Sequence, residues 1–124
     1  MKIKTNELNG AALDWAVALI EFPAPGYEDD DRLVYVLGDD EFHFTPSTNW
    51  SQGGPIIERE SIGLIETEVG SGEWEACKWL SADKHIPLIK SGPTPLIAAM
   101  RCYVASRLGD EVNVPDELAE GATA

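Results

Sequence analysis

At 124 residues and 44% hydrophobic composition, the chain holds enough apolar material for one core and one domain, which excludes a disordered tail. Nine basic residues against 22 acidic ones give a formal net charge of −13. The cations that neutralise phosphates are too few for nucleic-acid binding, and an anionic membrane repels the chain, so partners are neutral, basic or held in a local pocket.

Cys77 and Cys102 are the two cysteines, and no CxxC or Cys/His cluster surrounds them. Two free thiols in a reducing cytosol are expected, with neither metal nor cofactor. The opening MKIKTNELNG lacks the apolar core of a signal peptide, and no run approaches a membrane span, so a cytoplasmic location is expected.

The first predicted element is a helix over residues 9–20, with Asn9 as N-cap and FPAPG as the stop. On a helical wheel, Ala11, Ala12, Trp15, Ala18 and Leu19 share one face, and Leu13, Val17 and Ile20 share the opposite one. Asp14 and Glu21 form the only polar stripe. A helix apolar on both sides is buried on both sides. After the acidic loop GYEDDD, the alternating runs RLVYVL and EFHFT flank GDD as a hairpin. Phe42 and Phe44 are expected on one side of it and His43 on the other. A second hairpin is predicted from SIGLIETEV, the turn GSG and EWEACKWL. The last helix is the clearest, with Thr94 as N-cap, Pro95 at the first helical position and Gly109 just past the end. Leu96, Ile97, Met100, Tyr103, Val104 and Leu108 cover its front. Ala98, Ala99, Cys102, Ala105 and Ser106 form an uncharged back suited to close helix contact.

The expected fold class is therefore α+β: a small antiparallel sheet of two hairpins packed with an N-terminal helix and a C-terminal Ala-rich helix. One domain spans residues 1–118, and residues 119–124 form a frayed tail. Two helices needing cover on both faces exceed what a small sheet supplies, so a homodimer through the Ala-rich helix is expected.

Three segments, ELNGAALDWAVA, PSTNWSQGGPIIERE and GPTPLIAAMRCYVASRLGDEVNVPDEL, together resemble the NinX-like proteins of tailed bacteriophages and prophages. The resemblance spans roughly the whole chain and implies a small phage accessory protein of the infected bacterial cytosol, with no molecular function assigned. Where the family pattern has Asp before the middle Trp, this chain has Asn49, which puts any role needing a carboxylate there in question.

The residues between 47 and 60 carry the candidate site. Ser47, Thr48, Asn49 and Gln52 offer hydroxyl and amide groups, and Trp50 offers a face for stacking. Gly53 and Gly54 admit close backbone approach, and Arg59 offers a fork for phosphate or carboxylate. This inventory fits a non-enzymatic protein that binds or sequesters a small, nucleotide-like ligand in a loop. The competing structural reading is that Ser-Thr-Asn is turn chemistry, Trp50 plugs the core, and Arg59 pairs with flanking glutamates or Asp14. Two further functions stand beside it. One is an acidic interaction module that blocks a host protein or mimics DNA for it. The other is a hydrolase using Glu58 and Glu60, which lie about 7 Å apart on one face if IIERE is extended. His43, His85 and Cys102 have no partner in sequence that suggests catalysis.

Overall fold

The computed structural model describes residues 1–21, 34–37, 40–80 and 86–119; the side chains of 34–37, 40–43, 117 and 119 are not among those described. The expected acidic loop over 26–31, His85 and the tail beyond 119 lie outside the described residues, as do the side-chain directions expected for Phe42 and His43.

The chain is mixed α+β, as its periodicities predict. Its elements run β1 (Lys2–Lys4), α1 (Gly10–Glu21), β2 (Val34–Leu37), β3 (Asp40–His43), α2 (Trp50–Arg59) and β4 (Gly63–Glu66). They continue with β5 (Trp74–Trp79), β6 (Pro87–Gly92), α3 (Pro95–Leu108), β7 (Glu111–Asn113) and α4 (Asp116–Ala119). Both predicted hairpins form. In the first, β2 and β3 pair antiparallel with Tyr35 opposite Phe42; in the second, β4 and β5 pair with Leu64 opposite Ala76. Two pairings were not expected from sequence. β6 adds to β5 and makes a three-stranded sheet, and β1 pairs with β7 across almost the whole chain, Ile3 opposite Val112.

α3 is punctuated as predicted: the Thr94 side chain accepts the Ile97 N–H at 3.1 Å, and Pro95 opens the helix. It is the centre of the fold. Leu96, Ile97, Met100, Tyr103 and Val104 on its front are buried, and so are Ala98, Ala99, Cys102 and Ala105 on its back. The sheet lies against the helix, with Ala76 fully buried at the contact. Small side chains allow this approach: a Cβ on Gly92 of β6 would sit 2.8 Å from the Ala98 backbone nitrogen. The alanine surface expected to need a second copy is thus covered within one chain, which corrects the reasoning that led to a dimer there.

α1 packs on α3 with Leu13, Val17 and Ala16 fully buried, and on its other side Ala12 and Ala18 are buried as well. Arg101 ties the N-terminal segment to the sheet, donating from Nε to the Leu8 carbonyl at 2.8 Å and from Nη1 to the Ser91 carbonyl at 2.9 Å. Of the polar stripe expected on α1, Asp14 is 5% exposed and faces protein.

The stretch from 47 to 60 is the largest departure from expectation. It is a tight turn followed by a helix. Thr45 accepts the N–H groups of Thr48 and Asn49, and Asn49 then caps α2 by accepting the Ser51 N–H at 3.0 Å. Gly53-Gly54-Pro55 lies inside the helix, where a turn was expected. Gly53 is required there for space, because a Cβ would stand 2.5 Å from the Pro46 carbonyl oxygen and 2.6 Å from Leu96 Cδ2. The carbonyl belongs to backbone and cannot swing aside. Replacing Gly53 by Ala is expected to cost about 2 kcal/mol of stability, read as a lower denaturant midpoint, despite the better helix propensity of Ala.

Candidate functional site

α2 divides the candidate residues between two places. Its first residue is Trp50 and its last is Arg59, so at 1.5 Å per residue they stand about 14 Å apart along the axis. That distance corrects the expected single grip, in which one small ligand stacks on Trp50 and is held by Arg59.

At the N-terminal end, Ser47, Thr48 and Trp50 line a cleft of about 250 Å³ together with Thr94, Pro95, Leu96 and Ile97. The cleft lies where two helices begin. Asn49 caps one and Thr94 the other, while the N–H groups of Trp50 and Leu96 fall outside the helical ladders. The partial positive charge of two helix N-termini therefore meets in one place, within a protein of net charge −13. Trp50 is 54% exposed and so is a wall of the cleft, not a plug of the core.

The remaining residues of the stretch have structural work. Asn49 is spent on its cap, its Oδ1 also accepting the Ser51 hydroxyl at 2.6 Å. Asn is among the strongest residues for such a cap, and a carboxylate is not needed there. Gln52 turns back, its Oε1 accepting the Thr45 N–H at 2.6 Å. Gly53 packs on Leu96, and Gly54 lies near the Trp50 ring.

Next to the cleft, in contact with Ser47, lies one member of the polar stripe expected on α1. Asp14 Oδ1 accepts the buried Ser47 N–H at 2.9 Å, fastening α1 to the turn that starts α2. Burial pushes its pKa from 3.8 up to about 6, against the pull of the Ser47 N–H and of the nearby hydroxyl. That hydroxyl is itself buried and makes no hydrogen bond of good geometry. The available signal was a lone acid in a helix apolar on both sides.

At the C-terminal end of α2, Arg59 is committed. Its guanidinium grips both oxygens of Glu21, at 3.1 and 2.8 Å, and donates to Glu60 at 2.9 Å and to the Tyr103 hydroxyl at 3.0 Å. Of the two pairings anticipated, the flanking Glu60 is found; Glu21 takes the place of Asp14. Glu60 also meets Lys78 at 3.2 Å and Arg107 at 3.1 Å, with its own side chain 9% exposed. Burial alone would raise its pKa, but the hydrogen bonds from Arg59, Arg107 and Lys78 outweigh it and hold the carboxyl at about 2. Arg59 and Arg107 both lie over the Tyr103 ring, 5.8 and 5.4 Å from its centroid. Burial, then the bond to Glu21, pushes the Tyr103 phenol well above its ordinary value. This is a hub joining α1, α2, β5 and α3.

The hub also removes the geometry expected of a two-carboxylate hydrolase. Residues 58 and 60 end a helix and are not extended; Glu58 is exposed, and Glu60 is held by three cations. Cys102 is buried, with burial pushing its thiol up to about 11, so it is far from the thiolate a nucleophile requires. Among the described residues no group of His, Cys, Asp and Glu is placed to hold a metal ion, and no helix is long and apolar enough to cross a membrane.

Fold and cleft together define a small α+β domain with a recess of about 250 Å³ at two helix starts. The sequence matches the family described as "Bacteriophage P22, NinX" over residues 4–107, so the chain belongs to that bacteriophage family. The matched span includes both the cleft and the Glu60 hub. Comparison with curated proteins found no match.

Proposed function

We propose that this phage accessory protein, acting in the cytosol of the infected bacterium, binds or sequesters a small ligand in the cleft between the starts of α2 and α3. The observation that carries this reading is the coincidence of an exposed Trp50 with two helix N-termini around one recess. The ligand class it favours is a flat ring joined to an anionic group, hence nucleotide-like: Trp50 stacks on the ring, and the N-terminal turns of the helices draw the anion. Thr48 and Thr94 add hydroxyls at the rim. A volume of about 250 Å³ is less than most small-molecule sites enclose, so the cleft takes one end of the ligand and leaves the rest in solvent. Arg59 has no part in this site, its fork being filled by Glu21.

The test is mass spectrometry of small molecules released by denaturing protein purified from bacterial cytosol, paired with thermal shifts against mononucleotides. A ligand at 100 times its dissociation constant adds about 2.7 kcal/mol to stability. The expected result is a released or stabilising nucleotide-like species whose effect is lost in Trp50→Ala, with circular dichroism unchanged. An empty protein that no mononucleotide stabilises refutes the proposal.

A further inference from the structure

The three-stranded sheet has two faces with unequal cover. Antiparallel partners point to the same side, so the pairing Leu64–Ala76–Lys90 places those side chains toward α3. The intervening residues, Ile65, Glu75, Cys77, Trp79 and Ile89, then share the opposite face. There the exposure is high for apolar side chains: Ile65 66%, Ile89 52% and Trp79 45%. Single exposed apolar residues are ordinary, but these three come one from each of three adjacent strands and share one face. Trp79 has the character of an interface anchor, large and rigid.

Charge says what fits on it. Glu75 sits within the face between Ile65 and Ser91, and Glu68 and Glu73 are exposed at the tip of the same sheet. The sheet's lysines turn away: Lys78 is drawn to Glu60 and Lys90 to Asp110, both from the α3 side. Among the described residues, the outer face thus carries acid without base. Two copies laid face to face would oppose these carboxylates and bring two chains of −13 together. We infer that the outer face of β4–β6 is a protein-docking surface whose partner presents an apolar centre ringed by lysine or arginine. Such a partner satisfies both features, burying Ile65, Trp79 and Ile89 while pairing with the glutamates at the rim.

The inference is independent of the cleft and is tested without knowing the natural partner. A designed amphipathic helical peptide of leucine and lysine is titrated into the isotope-labelled full chain. The expected result is amide shift changes concentrated at Ile65, Cys77, Trp79 and Ile89. Ile89→Asp, which adds a negative charge at an exposed position, is expected to weaken binding at least tenfold. Mere electrostatic adhesion would tighten instead, so equal or tighter binding by Ile89→Asp overturns the inference, as do shift changes placed elsewhere. Sedimentation that shows a wild-type dimer dissociated by Ile89→Asp also overturns it, by assigning the face to a second copy. Circular dichroism checks the fold of the variant, and Ile65→Asp repeats the measurement from the opposite edge strand.

Discussion

Asp14→Asn is expected to stabilise the protein at neutral pH, by an amount that vanishes on acidification. The asparagine oxygen can accept the Ser47 N–H as Asp14 Oδ1 does, at 2.9 Å, while the buried charge is removed. The sign follows from the direction of the shift. Asp14 holds its proton more tightly folded, at about 6, than at its ordinary 3.8, so between these values the folded state binds more protons and wild-type stability falls as pH rises. The loss is complete above pH 6 and amounts to about 3 kcal/mol. Denaturant melts of the two proteins should therefore differ by up to about 3 kcal/mol at pH 7 and converge below pH 4. A difference constant with pH would mean that Asp14 does not titrate in this window. A buried charge of this cost beside the cleft also makes Asp14 a determinant of the site's field: it opposes an anion there when ionised and less so when protonated.

Glu60→Gln is expected to act with the opposite pH dependence. The substitution keeps size and shape but leaves Arg59, Lys78 and Arg107 facing one another around a neutral amide. The cost is about 2 kcal/mol at pH 7, below that of a fully buried pair because both arginines are half in solvent. Here the folded pKa lies below the unfolded one, about 2 against 4.5, so the stabilisation is present above pH 4.5 and is lost as pH falls toward 2. Wild type and variant should therefore converge in acid, as measured by the same melts. Because Glu21, Arg59 and Tyr103 share the hub, combining Glu60→Gln with Glu21→Gln should cost other than the sum of the two.

The fold was legible wherever the sequence carries punctuation. Thr94, Pro95 and Gly109 bracket α3 because capping and φ preferences are local, and the two hairpins follow from alternation around glycine-containing turns. α2 was hidden because glycine and proline lower helix propensity, and their cluster at 53–55 imitates a turn. What overrides propensity is tertiary: Gly53 lets α2 press against Pro46 and Leu96, and Ile56 is buried below it. Asn49 followed by Trp50 was the local sign of a helix start. The pairing of β1 with β7 joins two three-residue strands whose signal is too short to read and whose separation is too long for any local rule. In the candidate site, chemical type was legible and direction was not. Ser47, Thr48 and Trp50 do line a recess, whereas the equally polar Gln52 and Arg59 turn back into the protein, and side-chain direction depends on the helix that sequence reasoning missed.

Two-dimensional amide spectra of the labelled protein, titrated with mononucleotides and with inorganic phosphate, test the central claim most directly. The ligand site at the start of α2 predicts saturable shift changes at Thr48, Trp50, Leu96 and Ile97, with the Arg59 and Glu60 amides unmoved. Changes centred on Arg59 and Glu60 instead, or no saturable change with any titrant, would contradict it.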